Sequence, residues 1–241
     1  MRDMTNLSWP EAPFGAGHRP FGKRSAMLMA LGFSWKTGHS AEPILVAAAT
    51  VYLRVRRDGK PLAVTDTTLA IGFRITAVET SADLQPLLGL VDRAISRGRR
   101  HAAIVAGHDL EQELARLGDL SSEALRGVDG LRTAWTARSD KQAGIARMVD
   151  TAVDVSPSTV SVQLSDDVAK RPSVPFRDLL AQSLATGLAS AAYLDRYRWD
   201  GTFRAPQALD RAGWDLLSGV PAERSAGGIG FGDSGNLTSL S

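Results

Sequence analysis

The sequence predicts an α/β fold with a mixed sheet, on three observations. Apolar runs of strand length come first, at Ser25–Phe33, Ile44–Val55 and Leu69–Ile75. Apolar residues at helical spacing follow: Leu84, Leu87, Leu88, Val91 and Ile95 share one face, and Leu110, Leu114 and Leu117 share another. Between these two stretches lies Ala102–Gly107, short and wholly apolar, as suits a strand covered on both sides. Strands first and strand–helix alternation afterwards place antiparallel strands beside parallel ones, with helices on both faces.

Taken in order, residues 1–24 are rich in Gly, Pro and aromatic residues without periodicity, and read as an irregular arm. The core begins near Ser25. Asp58-Gly59 supplies a turn after Ile44–Val55, so Pro61–Val64 is expected to return as the other arm of a hairpin. Asp83 is placed to cap the helix that follows, Pro86 sits in its tolerant first turn, and Gly98 ends it. His108 or Asp109 opens the next helix. Further helices are expected over Glu123–Arg138 and Phe176–Tyr193, with a short strand Ala146–Asp150 between them, and a last helix over Pro206–Ser218. Ala226–Ser241 is a Gly- and Ser-rich tail. The organisation is an arm (1–24), one domain (25–200) and a C-terminal extension (201–241).

At 241 residues, 44% hydrophobic and 22% charged, the composition is that of an ordinary globular chain, which excludes wholesale disorder. The absence of cysteine excludes a disulfide framework, a thiol nucleophile and thiolate metal sites. The first twenty-five residues, broken by Trp9, Pro10, Pro13, Gly15, Gly17 and Pro20, do not read as a secretory leader, and no apolar run approaches membrane-spanning length. A cytoplasmic protein with no membrane association is expected. The net charge is +2, and the 28 basic residues are 23 arginines and only five lysines, a skew that a genome biased toward arginine codons would also give; a bacterial protein is expected. Clusters at Arg54, Arg56, Arg57 and at Arg97, Arg99, Arg100 still offer planar forks suited to phosphate.

Several motifs fail their context. Gly17–Arg24 nearly spells a phosphate-binding loop, but Arg24 stands where the metal-binding Ser/Thr belongs and no strand precedes it. Gly230, Gly232 and Gly235 have dinucleotide-fingerprint spacing, yet only six residues follow. His18, His39, His101 and His108 lack metal-ligand spacing, and no Gly-x-Ser-x-Gly elbow occurs. Trp135, Trp199 and Trp214 fit core packing better than base stacking.

Four segments, in order, resemble the landmark segments of the DEDD-type 3'-5' exonucleases. Ala30-Leu31-Gly32-Phe33-Ser34-Trp35-Lys36-Thr37-Gly38 occupies the place of the family's Asp-x-Glu strand and Thr-Thr-Gly turn, and Pro43–Val51 resembles its second strand. Ile104-Val105-Ala106-Gly107-His108-Asp109-Leu110-Glu111-Gln112-Glu113-Leu114 is similar to the His-Asn-x-x-x-Asp run, with Glu113 at the catalytic Asp. Met148-Val149-Asp150-Thr151 resembles the structural Ile-Asp-Thr strand. Ala181–Ala191 resembles the last helix, with Ala181 for the family's His and Thr186 for its Asp. The resemblance covers about residues 25–195 and implies a ribonuclease-H-like mixed sheet, antiparallel in its first strands and parallel afterwards.

That family needs converging carboxylates to hold two divalent metals at the scissile phosphate. Here the matching positions are Gly32, Ser34, Glu113 and Thr186, with Ala181 for the general base, so one acid remains. The resemblance thus implies a degenerate exonuclease that acts by binding, with no catalytic residue, metal or cofactor expected. A single-stranded nucleic acid is one candidate partner, contacted by Phe33, Trp35, Lys36, His108, Arg54, Arg56 and Arg57; a protein is the other. The alternative is an active Mg²⁺- or Mn²⁺-dependent nuclease with relocated acids among Asp66, Asp109, Glu113 and Asp150. Asp109 and Glu113 share a helical face and would hold one ion with Asp150; the simpler reading is a capping aspartate and a solvated glutamate. A third reading is a scaffolding subunit or homo-oligomer that buries Trp9, Phe14 and Phe21 of the arm against a partner or a second copy.

Overall fold

The computed structural model describes residues 1–7, 25–37, 43–102, 104–139, 152–154, 162–163 and 175–212. Its elements are, in chain order, β1 (Arg2–Thr5), β2 (Ser25–Thr37), β3 (Pro43–Arg56), β4 (Leu62–Ala63), β5 (Ile71–Ala77), α1 (Leu84–His101), β6 (Ile104–Gly107), α2 (Leu110–Leu120) and α3 (Arg126–Ser139). There follow β7 (Ala152–Asp154), β8 (Val162–Gln163), α4 (Pro175–Tyr193), β9 (Tyr197–Arg198), β10 (Phe203–Arg204) and α5 (Ala205–Arg211). Six of the strands form one mixed sheet in the order β1-β5-β3-β2-β6-β7. The pairs from β1 to β2 are antiparallel, whereas β2, β6 and β7 run parallel. The α/β class and the mixed sheet are as expected from the sequence. Among the described residues no helix is long and apolar enough to cross a membrane.

Strand alternation divides the core into two layers. Leu28 and Ala30 of β2, with Ala47, Ala49, Val51, Leu53 and Val55 of β3, pack beneath α4. Met27, Met29 and Leu31 face the other way, toward Leu87, Leu88, Val91 and Ile95 of α1 and Leu110, Leu114 and Leu117 of α2. One irregularity changes this parity. Ser34 pairs with Ala47 but Trp35 pairs with Leu45, leaving Val46 as an extra residue in β3. The bulge turns Leu45 to the α1 side, where it joins Met27, Met29 and Leu31.

α4 is apolar nearly all round, which is the pattern of a helix enclosed by its own domain. Leu180, Leu184, Ala185, Leu188 and Ala189 are fully buried. Its three buried hydroxyls, those of Ser183, Thr186 and Ser190, donate back to the carbonyls of Leu179, Gln182 and Thr186 at 2.7, 3.0 and 2.8 Å. Each is satisfied inside the helix. Gly187 lets α4 approach the sheet: a Cβ there would lie 3.0 Å from Leu53 Cδ1 and 3.2 Å from Ala30 Cβ.

Several expectations are corrected. The turn at Asp58-Gly59 forms, with Gly59 at φ 75°, but no hairpin follows. β3 is already flanked by β2 and β5, so β4 finds no free edge there and pairs in parallel with β9 instead. α1 continues past Gly98 to His101, because Gly98 gives way to the end of the Met29 side chain rather than to a helix stop. The arm is not irregular at its start, since residues 2–5 form the edge strand β1, and Met4 reaches the core. The core also continues beyond residue 200: Phe203, Ala205, Ala208 and Leu209 are buried with α4. The expected strand Ala146–Asp150 and the tail Ala226–Ser241 lie outside the described residues, as do Trp9, Phe14 and Phe21.

Candidate functional site

In an open sheet with parallel strands, ligands settle at the carboxyl ends of the strands, where successive connections leave in opposite directions. Here that point lies between β2 and β6. The chain passes from β2 outward through β3 and β5, then crosses to the other side of β2 to lay down β6 and β7. Phe33–Lys36 stand at the carboxyl end of β2, and His108 and Asp109 follow the carboxyl end of β6 directly, before α2 begins.

Trp35 and Glu113 are joined there. The Trp35 indole Nε1 donates to Glu113 Oε2 at 2.5 Å, and Arg116 pairs with Glu113 Oε1 at 3.1 Å. The Arg116 guanidinium also lies over the Trp35 ring, 5.8 Å from its centre, in cation–π range. Glu113 is mostly buried, and burial pushes its carboxyl above the ordinary glutamate value; the nearby Asp109 charge adds to this, while the Trp35 N–H, Arg116 and His108 oppose it. The solvated glutamate expected from sequence is therefore corrected. So is the capping aspartate: Asp109 stands at the head of α2 with a left-handed backbone, φ 49°, and its carboxylate makes no capping hydrogen bond. It lies exposed beside His108 Nε2, 3.7 Å away.

The four exonuclease-like positions do not converge. Side chains alternate along β2, so Gly32 and Ser34 point opposite to Trp35 and to its partner Glu113. On that other face Gly32 meets α4. A Cβ at Gly32 would fall well inside contact distance of Ser183 Oγ, and 3.3 Å from both Ser183 Cβ and Leu179 Cδ1. Ala181 and Thr186 are buried in α4. Glu113 thus sits across the strand from the rest. Among the described residues no cluster of three or more His, Asp or Glu side chains has metal-binding geometry.

The nucleic-acid candidates also separate. Lys36 and His108 are exposed near the site, while Phe33 and Trp35 are half-buried against the α1–α2 layer. Arg54 is paired in register with Met27, eight residues from Trp35, which at about 3.3 Å per residue is roughly 26 Å. Arg54, Arg56 and Arg57 therefore belong to the opposite end of the sheet, where Arg56 is held by Asp58. Asp66 shares that end, since it precedes β5, whose first residue Ile71 pairs with Leu53 and so neighbours Leu28. Asp150 lies outside the described residues. The acid that stands in register beside Gly107 on the neighbouring strand is Asp154.

Sequence reasoning missed Arg116 and Asp154. Arg116 was legible only as a residue three after Glu113 on a helix, a spacing that pairs charges but names no aromatic partner. No family model, no curated protein and no solved structure matches this chain.

Proposed function

We propose that this chain is a ribonuclease-H-like relative of the DEDD-type 3'-5' exonucleases that acts by binding a single-stranded nucleic acid rather than by hydrolysing it. The sheet supports this reading, with its antiparallel first strands, its later parallel strands and helices on both faces. The observation that carries the non-hydrolytic part is the packing at Gly32. A two-metal centre needs carboxylates meeting around a space wide enough for both ions. At Gly32 that space belongs to Ser183 and Leu179, the Thr186 hydroxyl is committed to Gln182, and Glu113 serves Trp35 and Arg116 on the other face.

For binding, the carboxyl ends of β2 and β6 offer Lys36 and His108 in the open and an Arg116 guanidinium stacked on Trp35. Cations and π-faces are what an unpaired strand uses without sequence preference. The test is a thermal-shift titration of the full chain with single-stranded DNA and RNA oligomers at rising salt, alongside an incubation of the same oligomers with Mn²⁺. Stabilisation that fades with salt and weakens in Lys36→Ala and His108→Ala, with no shortening of the oligomers, is the expected result. Mn²⁺-dependent shortening abolished by Glu113→Ala would instead establish the active nuclease. Absence of any shift would remove nucleic acid as the ligand and leave a protein partner.

A further inference from the structure

Trp35, Glu113 and Arg116 form a closed triangle. The Trp35 indole donates to one oxygen of Glu113, Arg116 pairs with the other, and the Arg116 guanidinium returns over the Trp35 ring. α2 makes this possible, because Arg116 follows Glu113 by three residues and so shares its helical face, opposite the end of β2.

The corners are not equally fixed. The Glu113 side chain is 14% exposed and is tied to an indole that is itself half-buried against the α1–α2 layer, whereas Arg116 is 45% exposed. The arginine is the corner that can turn. A guanidinium has five N–H donors, and among the described residues Nη1 is the one Arg116 nitrogen that meets an acceptor, 3.1 Å from Glu113 Oε1. An ion pair of this exposure is a weak tie, worth at most about fivefold in an equilibrium. A phosphate offers the same fork two parallel hydrogen bonds where Glu113 takes one.

The head of α2 is acidic, with Asp109 and Glu111 both exposed. An anion approaching this helix is therefore received best further along it, and Arg116 stands about 9 Å of helix from Leu110. We propose that Arg116 is the phosphate-contacting residue of this site and that Glu113 is its counter-ion in the free chain, a carboxylate that holds the guanidinium over Trp35 and yields it to a strand's phosphate. Glu113 thereby acts as a brake on affinity and makes no contact with the strand. This role rests on the single-stranded nucleic acid reading of the site, and adds to Lys36 and His108 a third contact together with the group that restrains it.

The test is fluorescence anisotropy of a labelled oligo-deoxythymidine titrated with the full chain at several salt concentrations. Arg116→Ala should weaken binding about tenfold, as loss of a charge-assisted hydrogen bond does, and flatten the dependence of log K on log salt by about 0.7, the share of one phosphate on a single strand. Arg116→Lys keeps the charge without the fork, so it should keep the salt dependence and recover only part of the affinity. Glu113→Gln leaves an oxygen to accept from Trp35 Nε1 and should tighten binding by about twofold to fivefold. That gain should vanish when Arg116→Ala is combined with it, since the brake acts through the arginine. Salt-sensitive binding that weakens in Lys36→Ala but ignores Arg116→Ala would overturn this role and leave the nucleic-acid reading standing. No gain in Glu113→Gln, or a gain that persists without Arg116, would overturn the brake, and no salt-sensitive binding by the parent chain would overturn both readings.

Discussion

At Gly32 the missing side chain is a packing requirement imposed by α4. Adding one methyl group there forces Ser183 or the helix to move, and overpacking of this kind costs about 1–3 kcal/mol. Gly32→Ala should therefore destabilise the chain by that amount in urea unfolding, and the cost should shrink in a Ser183→Ala background, where the hydroxyl that meets the new Cβ is gone. Equal costs in the two backgrounds would show that Ser183 is not the obstacle. Across the strand, Glu113 makes the opposite kind of prediction. An acid whose pKa is higher folded than unfolded adds stability once it is protonated in both states; that gain is lost as pH rises through the folded value. Burial puts Glu113 in this class. Glu113→Gln cannot titrate, so its melting temperature relative to the parent should improve as pH rises from the ordinary glutamate value of about 4.3 through the higher folded one. A difference independent of pH would mean that the carboxylate is not held away from water.

Among the elements, β1 is tied to the sheet by side chains as well as by its ladder: Arg74 and Thr76 hold Asp3, Thr5 donates to the Phe73 carbonyl, and Asn6 follows just beyond the strand. Asn6 Nδ2 donates to the carbonyls of Ile71 and Ala212 at 2.9 and 3.0 Å, and its Oδ1 accepts from Phe73 N–H at 2.7 Å. Asn6 thus joins the beginning of the chain, the edge of β5 and the end of α5. Asn6→Ala leaves these backbone groups without that partner, at a cost of about 1–3 kcal/mol, and should speed hydrogen exchange at the Phe73 amide. Unchanged exchange there would show that β1 holds β5 without it. The helices were the most legible elements. α1, α2 and α4 begin within about two residues of where periodicity places them, because a helix is built from contacts four residues apart. β4 falls within the strand expected at Pro61–Val64, but its partner was not legible, because β9 lies more than 130 residues along the chain.

For the whole molecule, local pattern and distant packing divide the account between them. Apolar periodicity determined the α/β class, the early strands and the major helices, since both periods are written in neighbouring residues. The sequence also determined that Gly32, Ser34, Ala181 and Thr186 carry no carboxylate, whatever their arrangement. Only the tertiary structure decided that Glu113 stands across β2 from Gly32, that Arg54 and Trp35 lie at opposite ends of the sheet, and that Arg74 of β5 holds the Asp3 carboxylate of β1. The physical reason is that these relations depend on which strands pair and which face each helix covers, and contacts that close long loops leave no periodic trace in the sequence they join.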